Sequence, residues 1–190
     1  MHRLTKRFRP GARLNNCLFL LLFSLLLNCQ QLAIGKSIID NHIEEYRVKA
    51  AFIYNFIAFT QWSEISGPTL DLCLYGEDNF GPEIDLLQTR PVNQLSIKVT
   101  RLSDLQHLQN CHVLFISRSE AESLTSILGQ SQGKNILTIA DSQSAASKGV
   151  IINMHLDENK VKFEINLKSA RNAGLNINAR LLQLATRVYQ

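Results

Sequence analysis

The sequence predicts an α/β fold in a single domain, mainly a parallel sheet flanked by helices, with a C-terminal antiparallel β-hairpin at one edge. Three observations carry this prediction. Compact apolar runs at 70–75, 111–116 and 135–140 are bounded by turn residues and read as strands, the last two as strands buried on both faces. Segments of helical spacing lie between them, as crossover connections in a parallel sheet require. Near the end, Val150, Ile152, Met154 and Leu156 alternate with polar or smaller neighbours, and Val161, Phe163, Ile165 and Leu167 do the same beyond a turn at Asp157-Glu158-Asn159. That alternation marks a hairpin with one wet face.

The elements follow in order. From Glu44 to Trp62 the spacing is helical, with Val48, Phe52, Asn55, Phe59 and Trp62 on one stripe and Ala50, Ile53 and Ile57 on its neighbour. A stripe this wide predicts a helix packed into the core rather than a docking face, capped by Asp40 or Asn41. Ser66-Gly67-Pro68 breaks the chain. Leu70–Tyr75 is a strand, Phe80–Leu87 a helix and Leu95–Leu102 a second strand. Ser103–Leu108 is predicted as a short helix capped by Ser103. Cys111–Ile116 is the third strand, Ser119–Leu128 a helix stopped by Gly129, and Asn135–Ala140 the fourth strand. Ser142–Ser147 is a weak helical turn. Asn178 caps a last helix with Leu181, Leu184, Ala185 and Val188 on one face. In such a sheet the first and third strands are often neighbours.

The 190 residues suit one domain with an adequate core. The formal charge of +4 is unevenly placed. Residues 1–35 hold Arg3, Lys6, Arg7, Arg9 and Arg13 and no acid; the remainder has 15 basic against 16 acidic residues, a net of −1. A body without a basic cluster excludes nucleic acid as the expected partner.

Those first 35 residues have the layout of a signal peptide. A basic region precedes an apolar run from Cys17 to Leu27, within the roughly 7–15 residues of such a core. The run is short of the roughly 20 residues a membrane-spanning helix takes, so no stable membrane insertion is expected. Ala33-Ile34-Gly35 places small residues where a signal peptidase reads them, which predicts cleavage after Gly35 and a folded body of residues 36–190. Two alternatives stay open: an uncleaved anchor, and lipidation at Cys29 within Leu26-Leu27-Asn28-Cys29, where Asn28 fits poorly.

Cleavage leaves Cys73 and Cys111. A cysteine pair retained in an exported chain reads as one disulfide; two buried free thiols are the alternative. Their spacing has no CxxC and suits no zinc site.

Nothing in the sequence announces catalysis, and neither a metal nor a cofactor is expected. His42, His107, His112 and His155 fall on different elements. Gly76-Glu77-Asp78-Asn79-Phe80-Gly81 joins a strand to a helix, where α/β folds often bind ligands. It lacks the GxGxxG spacing and reads as a turn. Glu164 and Asn166 lie on the polar face of the hairpin. Arg171, Asn172 and Arg180 flank the turn around Gly174, where holding the turn competes with binding a small anion or nucleotide.

Two segments together resemble one family. Val48-Lys49-Ala50-Ala51-Phe52-Ile53-Tyr54-Asn55-Phe56 is similar to the opening helix of YfiR-like periplasmic proteins. Phe163-Glu164-Ile165-Asn166-Leu167, with Ala170, Ala173-Gly174-Leu175 and Arg180-Leu181-Leu182, is similar to that family's closing signature. The likeness covers about residues 44–189 and departs at Lys148-Gly149, where the family often shows Gly-Gly.

The resemblance implies a periplasmic protein of a Gram-negative bacterium that represses an inner-membrane diguanylate cyclase through its periplasmic portion. Cyclic-di-GMP signalling and biofilm formation would fall as a result. It implies a non-enzymatic role and a disulfide at Cys73 and Cys111, and its closing signature implies that Glu164 and Asn166 shape the fold or a shared surface. With Arg171, Asn172 and Arg180, singled out by their place at the turn, they make up the candidate ligand or partner contacts. A homodimer is also compatible, and a second disulfide found in some members has no counterpart here. The alternative is a periplasmic small-molecule module that senses or binds a nucleotide or amino acid at the ends of the parallel strands. Intact mass spectrometry of the exported protein is expected to give a chain beginning at Lys36; a chain retaining residues 1–35, or one carrying lipid at Cys29, would select one of the two alternatives instead.

Overall fold

The computed structural model describes residues 42–63, 65 and 67–190. The expected export address, Cys29 and the proposed caps Asp40 and Asn41 lie outside the described residues.

Helix α1 covers residues 42–58. It is followed by β1 (Thr60–Trp62), β2 (Thr69–Tyr75), α2 (Pro82–Asp85), β3 (Ser96–Leu102), β4 (Val113–Ile116) and α3 (Leu124–Ser131). The chain continues through β5 (Leu137–Ala140), β6 (Ile152–Asp157), β7 (Lys160–Asn166), α4 (Leu167–Asn172), β8 (Leu175–Ile177), α5 (Ala179–Leu184) and β9 (Arg187–Tyr189). The main sheet has the order β3-β2-β4-β5-β6-β7-β9. Strands β2 to β6 are parallel, β7 turns back antiparallel on β6, and β9 lies parallel to β7. Among the five parallel strands the order is 2-1-3-4-5 in chain sequence, a doubly wound arrangement that reverses direction between β2 and β4.

Two apolar cores sandwich the sheet. Val113 and Phe115 of β4 face one, with Leu72, Leu74, Leu137 and Ile139; Leu114 and Ile116 face the other, with Leu124, Ile127 and Ala140. Burial on both faces is why this strand is apolar at every position. Helix α1 covers the first face. Phe163 of the hairpin sets its ring 5.0 Å from Phe56 and 5.7 Å from Phe52, tying helix to hairpin through tilted and edge-on aromatic contacts.

Cys73, inside β2, and Cys111, just before β4, form a disulfide with a Cα–Cα distance of 5.8 Å. The two strands are neighbours, as the doubly wound order requires, and both cysteines are buried in the second core.

Several elements differ from the sequence reading. The buried stripe of α1 runs through Tyr46, Lys49, Ala50, Ile53, Phe56 and Ile57, while Asn55 is exposed and Val48, Phe52, Phe59 and Trp62 are half-buried flanks. The helix also stops earlier. Thr60 turns its hydroxyl back onto the Phe56 carbonyl at 2.7 Å, and residues 60–62 leave to pair antiparallel with β8. Residues 103–107 form turns rather than a helix, because the Asp104 carboxylate accepts the Gln106 amide at 2.9 Å and offers the backbone a local alternative. Helix α3 begins at Leu124, not Ser119, and runs through Gly129 to Ser131. Residues 117–120 are drawn into the sheet end described below.

The last helix is short. Asn178 caps it, accepting the Arg180 amide at 2.9 Å, but Thr186 gives both its amide and its hydroxyl to the Phe163 carbonyl and pulls the chain into β9. Val188 therefore lies in a strand, Leu184 is exposed, and β9 rather than the hairpin forms the outer edge of the sheet.

Replacing both disulfide cysteines by Ala is expected to lower stability by about 3–4 kcal/mol in the chain-entropy model, since the bridge closes a separation of 38 residues. Urea denaturation of the variant and of the reduced parent reads this as a lower midpoint; unchanged midpoints would remove the bridge from the account of stability.

Candidate functional site

Doubly wound sheets take their ligands outside the C-terminal ends of the strands, where the winding reverses. Here that place is filled from within. Gly76 ends β2 with φ +93°, and a Cβ at this position would stand 2.6 Å from Ser119 Oγ. The turn after β4 thus presses directly on the turn after β2, and the Glu77 amide donates to Ser119 Oγ at 2.9 Å. The 76–81 segment is a braced turn. Asp78 accepts the Phe80 and Gly81 amides at 2.8 and 3.3 Å and the Arg101 Nε at 2.7 Å. Arg101 in turn grips Asp85 at 2.9 and 3.0 Å.

Beside this closed crevice sits a cluster of buried charges. Asp141 follows β5, and its side chain is wholly shielded from solvent. Its Oδ1 accepts the Arg118 backbone amide at 2.8 Å. Its Oδ2 accepts the Tyr46 hydroxyl at 2.6 Å, Lys49 Nζ at 2.6 Å and the Arg118 guanidinium at 3.2–3.3 Å. Glu45 completes the group, 2.5 Å from Lys49 and 2.6 Å from Arg118. Lys49 also stands 4.2 Å over the Tyr46 ring, and that ring meets Phe80 edge-on at 5.0 Å. Two cations, two carboxylates and a phenol balance one another.

The electrostatics follow from this balance. Burial works to raise the Asp141 carboxyl, but the charge and hydrogen bond of Lys49, aided by Tyr46 and Arg118, outweigh it and hold the group below its ordinary range. Burial, then the hydrogen bond to Asp141, pushes the Tyr46 phenol above its ordinary value. Burial works against the Arg118 charge, yet Asp141 and the other partners raise its pKa. Both Asp141 oxygens are engaged by protein donors, so the cluster acts as a lock between α1 and the sheet rather than as an acid–base pair open to substrate.

The five residues singled out from the sequence fall into separate settings. Asn166 caps α4, accepting the Ser169 amide at 2.8 Å, and donates to the Ala146 carbonyl at 2.8 Å. Glu164 faces β9, with Tyr189 Oη at 3.4 Å and Arg187 Nε at 4.0 Å. Arg171, Asn172 and Arg180 are exposed, the first two on α4 and the last on α5. Asn172 also lines a cavity of 260 Å³. Of the four histidines considered, His112 accepts the Asp71 amide at 3.1 Å, and the others lie on α1, before β4 and on β6. Among the described residues no group of three or more His, Cys, Asp or Glu could hold a metal, and no helix is long and apolar enough to cross a membrane.

The sequence reading missed the lock. Its signals were a lysine and a tyrosine at buried helical positions, and an aspartate directly after an apolar strand.

Together these features define a disulfide-bonded, doubly wound α/β domain whose customary ligand edge is occupied by its own side chains. More particularly, the chain belongs to the YfiR/HmsC-like family, which it matches over residues 46–186. In fold it is similar to a conserved domain protein from Vibrio cholerae O1 biovar eltor str. N16961, with a TM-score of 0.52 at 9% identity over 75% of this chain. The match spans 60% of that Vibrio protein's length. A second similar structure is the ABC domain in complex with L-Trp from Streptococcus pneumoniae, with a TM-score of 0.45, 10% identity, and coverage of 63% of this chain and 54% of that one.

Asp141→Asn is expected to cost about 3 kcal/mol, because it leaves the buried Lys49, together with Arg118, to share the single charge of Glu45. Asp141 has a folded pKa below its unfolded one, so its contribution is complete above the unfolded value of about 3.9 and is lost as pH falls from there through the folded value. The variant should therefore show a flatter acid limb when stability is followed by urea denaturation from neutral pH downward. A replacement of Lys49 and Asp141 together by Met and Leu should cost less than the sum of the single losses; strict additivity would mean that the two do not interact.

Proposed function

We propose that this protein is a regulator working outside the cytosol. Residues 1–35 direct export into the periplasm, and the folded body of residues 36–190 binds the periplasmic portion of an inner-membrane diguanylate cyclase. It represses the enzyme by favouring a low-output conformation, so that cyclic-di-GMP and biofilm formation fall. The observation that carries this reading is the family match over residues 46–186.

Two further observations support it. The buried Cys73–Cys111 disulfide suits an oxidising compartment, where such bonds form and persist. The crevice at the strand ends where an α/β enzyme would hold substrate is occupied by the turns after β2 and β4, with the Asp141 lock beside it, which supports a role through outward-facing contacts. Arg171, Asn172 and Arg180 are exposed polar groups of the kind a partner protein contacts, and they stand as proposed contact residues beside Glu164 and Asn166.

A repressor acts by binding one state of its target better than another, and a differential of about 3 kcal/mol already changes the ratio of states more than a hundredfold. Deleting the gene is expected to raise cellular cyclic-di-GMP and surface attachment. Restoring the gene should reverse both, and in-cell cross-linking should recover a membrane cyclase. Unchanged cyclic-di-GMP in the deletion strain, with no cyclase cross-linked, would overturn the proposal.

A further inference from the structure

The 260 Å³ cavity lies beside the N-terminal halves of β5 and β6, between the end of α3 and the wall made by α4. Leu128, Ile136 and Ile151 give it an apolar floor. Thr138 reaches the same floor and is 96% buried. Its oxygen already accepts the Ile151 amide at 3.0 Å, so its hydroxyl hydrogen remains to donate. On the walls, the Ser169 hydroxyl and the Asn172 amide make no side-chain hydrogen bond among the described residues. Lys148 is the one charged residue among those that line the cavity, and it has no ion pair among the described residues.

A small apolar floor under several unengaged polar groups and a single unpaired cation is the composition of a small-molecule site. We infer that this cavity binds a small organic monoanion, its apolar body on Leu128, Ile136 and Ile151 and its carboxylate held at the rim by Lys148 with Ser169 and Asn172. With one cation and no acidic side chain in the lining, a single negative charge is matched and a polyanion is not. This site goes beyond the repressor reading and stands or falls without it.

The test uses hexanoate as the probe and its uncharged amide, hexanamide, as the control. Methyl resonances of Leu128, Ile136 and Ile151 in the folded protein are followed by NMR. Hexanoate should shift all three saturably, and hexanamide should bind at least tenfold more weakly. Lys148→Met should erase that tenfold preference. Gly129→Leu should abolish binding of both, because a side chain there enters the cavity mouth, where a Cβ meets no atom within 4 Å. It also replaces a helical glycine, so the fold is not put at risk. No saturable shift of these methyls, equal affinity for acid and amide, or undiminished binding in Gly129→Leu would each overturn the assignment.

Discussion

The carboxylate of Asp141 is the constraint on which the rest of the structure depends. It stands where β5 leaves the sheet and receives donors from three directions: Tyr46 and Lys49 from α1, and the backbone and guanidinium of Arg118 from the turn after β4. A buried charge is tolerated only when its hydrogen-bonding capacity is met. Each donor therefore fixes the position of the element that carries it. Helix α1 cannot rotate without withdrawing Lys49, and the turn after β4 cannot relax into the longer helix its sequence favours without releasing Arg118.

The disulfide performs a related task at the other end of the same strand. β4 is only Val113–Ile116, yet it is anchored before its start by Cys111 to β2 and after its end by Arg118 to Asp141. The reversal of winding between β2 and β4 is thereby held shut. In other doubly wound sheets this opening serves as a binding crevice. Here Gly76 lets the two turns touch, and the opening is taken up by the chain's own residues.

The fold was legible because β4 is apolar at every position, β2 and β5 are mostly so, and the hairpin alternates cleanly. The disulfide was legible because only two cysteines, Cys73 and Cys111, follow the expected cleavage point at Gly35. The lock was not, for a specific reason. Lys49 and Tyr46 are polar, so a search for apolar periodicity passes over them, while what buries Lys49 is a partner 92 residues away. Likewise β1, β8 and β9 are three residues each, too short for any period to show, and they exist through pairings such as Thr60 with Ile177 and Ile165 with Val188. Asn166 reads in the sequence as a polar residue on a strand face, while in the structure it caps α4.

The antiparallel pair of β1 and β8 carries a consequence for how the molecule is made. Phe59 and Thr60, near the start of the folded body, find their partners at Ile177 and Asn178, and α1 finds Phe163 and Asp141. Such distant contacts carry a large loop-closure cost and cannot form while the intervening chain is missing. A polypeptide appearing N-terminus first, from a ribosome or through a translocation pore, would hold its opening helix without a seat until nearly the last residue is out. Completion of the domain is thus tied to completion of the chain, and a polypeptide halted halfway has no native state to settle into.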